Sequence, residues 1–88
     1  MKRFDFIYSA KFNKQLQKMS KTDQKMVRKK LEVLAVDPEY PSLRTKYYQR
    51  MAVQGVRESS VNMSIRILWR YEDGKIILLM QVGQHDIL

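Results

Sequence analysis

Apolar residues recur along this chain with two different periods, and the changes of period mark its elements. Phe4, Phe6 and Tyr8 alternate with Arg3 and Asp5, which predicts a short first strand. From Ser9 the period lengthens. Phe12, Leu16 and Met19 recur at i, i+4 and i+7 behind a serine able to cap them, predicting a helix that turns Lys11, Lys14 and Lys18 outward. Ser20-Lys21-Thr22-Asp23 has the pattern of a capping box and opens a second helix on Val27, Leu31 and Leu34, flanked by Met26 and Lys30. Pro38 cannot continue it, so the helix should end near Val36. So short a link predicts an antiparallel helical hairpin.

Residues 37–54 carry two prolines, no clean period and the basic residues Arg44, Lys46 and Arg50 around Tyr47 and Tyr48; they are the least predictable stretch. Three strands are then expected: Val56–Ser60, Val61–Tyr71 with a break near Asn62, and Lys75–Gly83. In the second, Ile65, Ile67 and Trp69 oppose Ser64, Arg66, Leu68 and Arg70. In the third, Ile76, Leu78, Met80 and Val82 fall on one face and Ile77, Leu79, Gln81 and His85 on the other. A tight turn at Glu72-Asp73-Gly74 makes these two strands an antiparallel pair, able to bring Arg66 and His85 onto one face. The order β-α-α-β-β-β predicts an α+β fold, a helical hairpin packed on a small antiparallel sheet, with residues 1–88 forming a single domain.

Charge changes the picture more by its distribution than by its sum of +8. Residues 1–36 hold ten Lys or Arg against three Asp or Glu and residues 37–88 hold seven against six, so the excess sits on the helices. Eight of the first ten are lysine and five of the later seven are arginine. Lysines supply a diffuse field attractive to polyanions, whereas arginine's planar fork suits defined contacts to phosphate oxygens. A solvated helix face is the plainer account of any single lysine. Without cysteine, thiolate catalysis, disulfides and zinc-thiolate sites are excluded. One histidine and scattered carboxylates make a metal site unexpected, and no cofactor is expected. The longest apolar run, Ile76 to Met80, is far short of a membrane span, and charged Lys2, Arg3 and Asp5 interrupt the place of a signal sequence; a cytoplasmic protein without membrane contact is expected.

His85 is the only histidine, the residue type whose unperturbed pKa of about 6.5 suits acid or base work, and is the one obvious proton shuttle near neutral pH. Metal-free cleavage of RNA needs a base for the 2′-hydroxyl, a cation for the phosphorane and an acid for the 5′-oxygen. His85, Arg66 and Glu58 suit those roles, with Arg66 purely electrostatic and Glu58 either a base or an orienting group for an arginine. Against this, a lone histidine near a C-terminus is more often a surface residue, and an arginine on a sheet is commonly an ion-pair partner. Tyr47, Tyr48 and Tyr71 suit stacking on bases, while Trp69, beside Ile67 and Leu68, suits the core.

The element order, with Pro41-Ser42-Leu43-Arg44 after the second helix, Glu58 through Trp69 in the middle and Val82-Gly83-Gln84-His85-Asp86 at the end, resembles the RelE/ParE family of small toxins along essentially the whole chain. The resemblance implies the toxin of a type II toxin–antitoxin pair, held inactive by a cognate antitoxin protein. RelE-like members cut messenger RNA on the ribosome without a metal; ParE-like members inhibit DNA gyrase. It implies further that Arg66 matches the strand arginine set against the scissile phosphate and His85 the histidine at the end of the last strand. Ser60 stands where many members have a basic residue, and no aromatic follows the His-Asp pair. The first expectation is a ribosome-dependent endoribonuclease that inhibits translation. Lys14, Lys18 and Lys25 would dock on ribosomal RNA, and Arg44, Lys46, Arg50, Arg57 and Arg70 would surround the message with Arg66 and His85. A ParE-like gyrase inhibitor and a nucleic-acid-binding module with a decayed site are the alternatives.

Overall fold

The computed structural model describes residues 3–50 and 53–85. Strand β1 (Asp5–Tyr8) leads into helices α1 (Ala10–Gln17) and α2 (Lys21–Val36); a short 3-10 turn (Pro41–Leu43) and strands β2 (Lys46–Tyr47), β3 (Arg57–Ser60), β4 (Ile65–Asp73) and β5 (Ile76–Gln84) follow. Both helix starts use the expected serines. The Ser9 hydroxyl accepts from the Phe12 amide at 3.0 Å and the Ser20 hydroxyl from the Asp23 amide at 3.1 Å, each satisfying a donor that the first helical turn leaves over. Helix α2 ends at Val36, two residues before Pro38.

The five strands form one sheet in the order β1-β5-β4-β3-β2. The helices cover one face, where Phe12, Leu16, Val27, Leu31 and Leu34 meet Ile65, Ile67, Trp69, Ile77, Leu79 and Val82. The α+β architecture is therefore the expected one, but the sheet is mixed: β1 runs parallel to β5, Phe6 beside Ile77 and Tyr8 beside Leu79. The β4–β5 hairpin leaves the outer edge of β5 unpaired, and β1, entering ahead of the helices, occupies it. The unpredictable segment supplies β2, whose Lys46 and Tyr47 pair with Glu58 and Arg57. The break near Asn62 is a loop in which Asn62 Oδ1 accepts from the Ser64 and Ile65 amides, both at 2.8 Å, ending β3 and starting β4.

One expectation about β5 is corrected. Its alternation does not run unbroken, because Leu68 pairs with Gln81 while Trp69 pairs with Leu79, leaving Met80 as an extra residue. This β-bulge reverses the parity of the strand. Ile77 and Leu79 before it and Val82 after it all face the helices, so Val82 joins the face from which strict alternation would exclude it. His85, grouped by alternation with Ile77 and Leu79, is separated from them.

Buried polar groups on the covered face form an ordered chain. Trp69 Nε1 donates to Ser59 Oγ at 2.8 Å, and Thr45 Oγ1 donates to the Pro38 carbonyl at 2.8 Å. The Thr45 proton being committed, Ser59 must donate across the 2.7 Å contact between the two hydroxyls. That chain anchors the segment before β2 to the core, which fixes where Lys46 emerges.

Candidate active site

The uncovered face of the sheet is read off by register. In one row Lys46 on β2, Glu58 on β3, Leu68 on β4 and Gln81 on β5 lie side by side; in the next stand Ser60, Arg66 and Gly83. Leu68 has no exposure and lies outside the helix-side core, so the charged groups surround an apolar floor. Such a floor lowers the local dielectric and strengthens every charge interaction above it.

Glu58 is only 4 % exposed. Leaving a carboxylate there without cations would cost several kcal/mol, of the order of a buried unpaired charge. Two groups meet it: Lys46 Nζ lies 3.5 Å from Oε1 and His85 Nδ1 lies 3.6 Å from Oε2. The histidine distance is longer than a direct hydrogen bond and suits an ion pair once the imidazole is protonated. Glu58 thus faces a histidine and a lysine. The His85 side chain is 45 % exposed, so its ring reaches both the buried carboxylate and solvent. Its backbone is held by the His85 amide donating to the Ser64 carbonyl at 2.7 Å, and Gly83 adds no side chain opposite Arg66.

Arg66 is half-buried on this same face. Its Nη1 donates to the Asn62 carbonyl at 2.6 Å and to the Ile65 carbonyl at 3.3 Å, leaving Nε and Nη2 outside these two bonds. Arg44 joins it along a groove of about 430 Å³, with Ser42, Ser60, Asn62 and Met63 as further walls. The backbone of Arg44 is left-handed, with φ 50, closing the 3-10 turn before β2. A residue with a side chain costs roughly 1–2 kcal/mol there. The strain is held at the mouth of the groove, and the Arg44 amide bonds the Pro41 carbonyl at 3.1 Å.

The structure thus brings Arg44, Lys46, Glu58, Arg66 and His85 to one side of the sheet. Arg70 shares that face further along β4, paired with Glu72 at 3.3 Å, and its Nε is buried without a hydrogen bond. Arg57 is elsewhere. It lies on the helix side of β3, over the rings of Tyr47 at 4.7 Å, Tyr71 at 4.9 Å and Trp69 at 5.8 Å, and donates to Tyr47 Oη at 3.1 Å. Tyr71 beside it has its pKa raised above 10.0, chiefly by burial and then by Glu39, with Arg57 pulling the other way and Asp37 adding to the rise. Lys14, Lys18 and Lys25 are exposed on the helical layer, the far side of the sheet from His85. Arg50 is exposed beyond β2 and has an interaction of its own. Asp86 lies outside the described residues. Among the described residues no three His, Cys, Asp or Glu side chains group as metal ligands, and no helix is long and apolar enough to cross a membrane. Sequence reading missed the partnership of Lys46 with Glu58, which only the register of β2 could reveal.

Two helices on one face of a five-stranded mixed sheet of this order define the fold of the RelE-like toxins. The match to solved structures spans nearly the whole chain. The toxin–antitoxin complex RelBE2 from Mycobacterium tuberculosis aligns with a TM-score of 0.75 at 15 % identity, over 94 % of this chain and 99 % of that one. YafQ from E. coli aligns at 0.74 and 19 % identity over 97 % of each chain, and the intact E. coli RelBE toxin–antitoxin complex at 0.70 and 17 %, over 92 % of this chain and 95 % of that one. No protein-family model and no curated protein matches the chain.

Proposed function

We propose that this protein is a toxin of a type II toxin–antitoxin pair that cuts messenger RNA on the ribosome, with residues 1–88 acting as one toxin domain in the cytoplasm. The observation that carries the reading is the contact of His85 Nδ1 with the buried Glu58 carboxylate, 3.6 Å away, on the face that also bears Arg66. A carboxylate so enclosed is poorly placed to touch substrate itself. It serves instead to orient the imidazole through Nδ1, so that Nε2 works on the substrate side. Apo distances of this kind shorten when substrate completes the site.

In this reading His85 takes the 2′-hydroxyl proton, the 2′-oxygen attacks phosphorus, and the 5′-oxygen leaves with a proton from solvent. Arg66, whose guanidinium stays charged, stabilises the phosphorane. Arg44 and Lys46 extend the positive field along the groove, Arg70 and Arg50 continue it, and Lys14, Lys18 and Lys25 face ribosomal RNA from the helical side. No step calls on a metal. Two of the similar structures are toxin–antitoxin complexes, which supports an inhibitory protein partner for this chain as well.

The test is cleavage mapping on translating ribosomes with magnesium in excess of added EDTA. The expected product is a 5′ fragment ending in a 2′,3′-cyclic phosphate or its 3′-phosphate, and a single 2′-deoxy substitution at the cut site should abolish cutting. A 3′-hydroxyl product, or undiminished cutting of the substituted message, excludes the mechanism. Toxicity without any cutting turns attention to gyrase as the target.

A further inference from the structure

We propose that Gln15 and Ser9, both contributed by the first helical segment, are positioning residues: they hold the bulge in β5 and thereby aim His85 at the uncovered face. The consequence for catalysis rests on the proton-transfer reading of His85; the aiming itself does not.

The parity of β5 is what decides the side on which His85 emerges. Ile77 and Leu79 face the helices, and in an unbroken strand every second residue after them would do the same, His85 included. The extra residue Met80 reverses this, so that Gln81 pairs with Leu68 and Gly83 with Arg66 on the uncovered face, and His85 follows them to Glu58. A bulge leaves backbone groups without their regular ladder partners. Here side chains from the α1 segment bond the backbone at the extra residue itself and two residues beyond it. Ser9 Oγ donates to the Met80 carbonyl at 2.9 Å, and the Val82 amide donates to Gln15 Oε1 at 2.9 Å. The Ser9 oxygen also accepts from the Phe12 amide, so one hydroxyl both starts α1 and ties it to the bulge. Both ties are long-range, crossing separations of 71 and 67 residues.

The chain's single histidine makes the proposal directly observable, since every imidazole resonance of the 15N-labelled protein belongs to His85. Gln15→Leu keeps the bulk and removes the acceptor; Gln15→Glu keeps an acceptor oxygen; Ser9→Asp keeps the helix cap but cannot donate to Met80. Gln15→Leu and Ser9→Asp should each move the imidazole resonances and the amides of residues 80–85. Single-turnover cleavage should fall about tenfold, the scale of a small misplacement of a reacting group. Gln15→Glu should restore both readouts, and in a His85→Ala background Gln15→Leu should cost nothing further. Should Gln15→Leu fail to fold by circular dichroism, Ser9→Asp carries the same test. Folded variants whose imidazole resonances stay in place overturn the proposal, as does an added loss of cleavage in the His85→Ala background. If the resonances move and recover as expected while even the unmodified protein cuts no RNA, the positioning stands and the nuclease reading falls.

Discussion

Arg57 and Arg66 lie on neighbouring strands of one sheet, yet the structure gives them opposite surroundings. Arg57 faces the helix side and is stacked against Tyr47, Tyr71 and Trp69, where its charge is held by aromatic faces and its planar stem fills space. Arg66 faces the uncovered side and donates to the Asn62 and Ile65 carbonyls, next to the Glu58–His85 pair. The same side chain is thus a packing element on one face and a candidate for phosphate on the other. What separates them is whether the strand position is odd or even.

The two faces should therefore respond differently to substitution. The largest effect is expected on the covered side: Trp69→Ala removes a fully buried indole and the bond it donates to the Ser59 hydroxyl, destabilising the fold by about 3–5 kcal/mol in chemical denaturation. On the uncovered side His85→Ala and Arg66→Ala should each lower cleavage by at least about 10²-fold while circular dichroism and melting stay near those of the parent. A folded variant that keeps full cleavage removes its residue from the mechanism.

Reversing Lys14, Lys18 and Lys25 together tests the helical layer. Ribosome binding should weaken about tenfold or more at physiological salt, with unchanged cutting at saturation, because each lost phosphate contact forgoes its released counterions. Affinity that stays flat between low and physiological salt would take the helices out of the interface. Arg57→Ala sharpens the opening comparison most directly, since it should lower stability by about 1 kcal/mol and leave the rate of cutting in a saturated complex within about twofold. Loss of cutting in a stable Arg57→Ala protein would place the stacked arginine on the RNA after all.

The smallest expected effect is on pH dependence. Tyr71 keeps its proton in the folded protein to a higher pH than in the unfolded chain, where it ionises near 10.0. The unfolded state therefore sheds its proton first, and the stability Tyr71 contributes is present below pH 10 and lost as pH rises above it. Tyr71→Phe should flatten the alkaline limb of a stability–pH curve. An alkaline limb unchanged by the substitution would assign the decline to other groups.

Much of the architecture is local and was legible in the chain itself. Ser9 and Ser20 begin helices because a short hydroxyl can satisfy an orphan amide. Helix α2 stops ahead of Pro38 because proline lacks the donor and clashes. Asn62 breaks the long strand because its side chain offers the backbone a tighter turn. That β4 and β5 pair antiparallel followed from the turn between them. Three things depended on contacts between distant residues. β1 lies parallel to β5 because the hairpin left an edge to fill, and Lys46 meets Glu58 because Thr45 is tethered through Ser59 to Trp69. The side on which His85 emerges is set by Met80, an extra residue that no period in the sequence marks. Alternation is a property of a strand taken alone, whereas a bulge is stable only where partners outside the strand take up the backbone groups it leaves unpaired, and here those partners come from the other end of the chain.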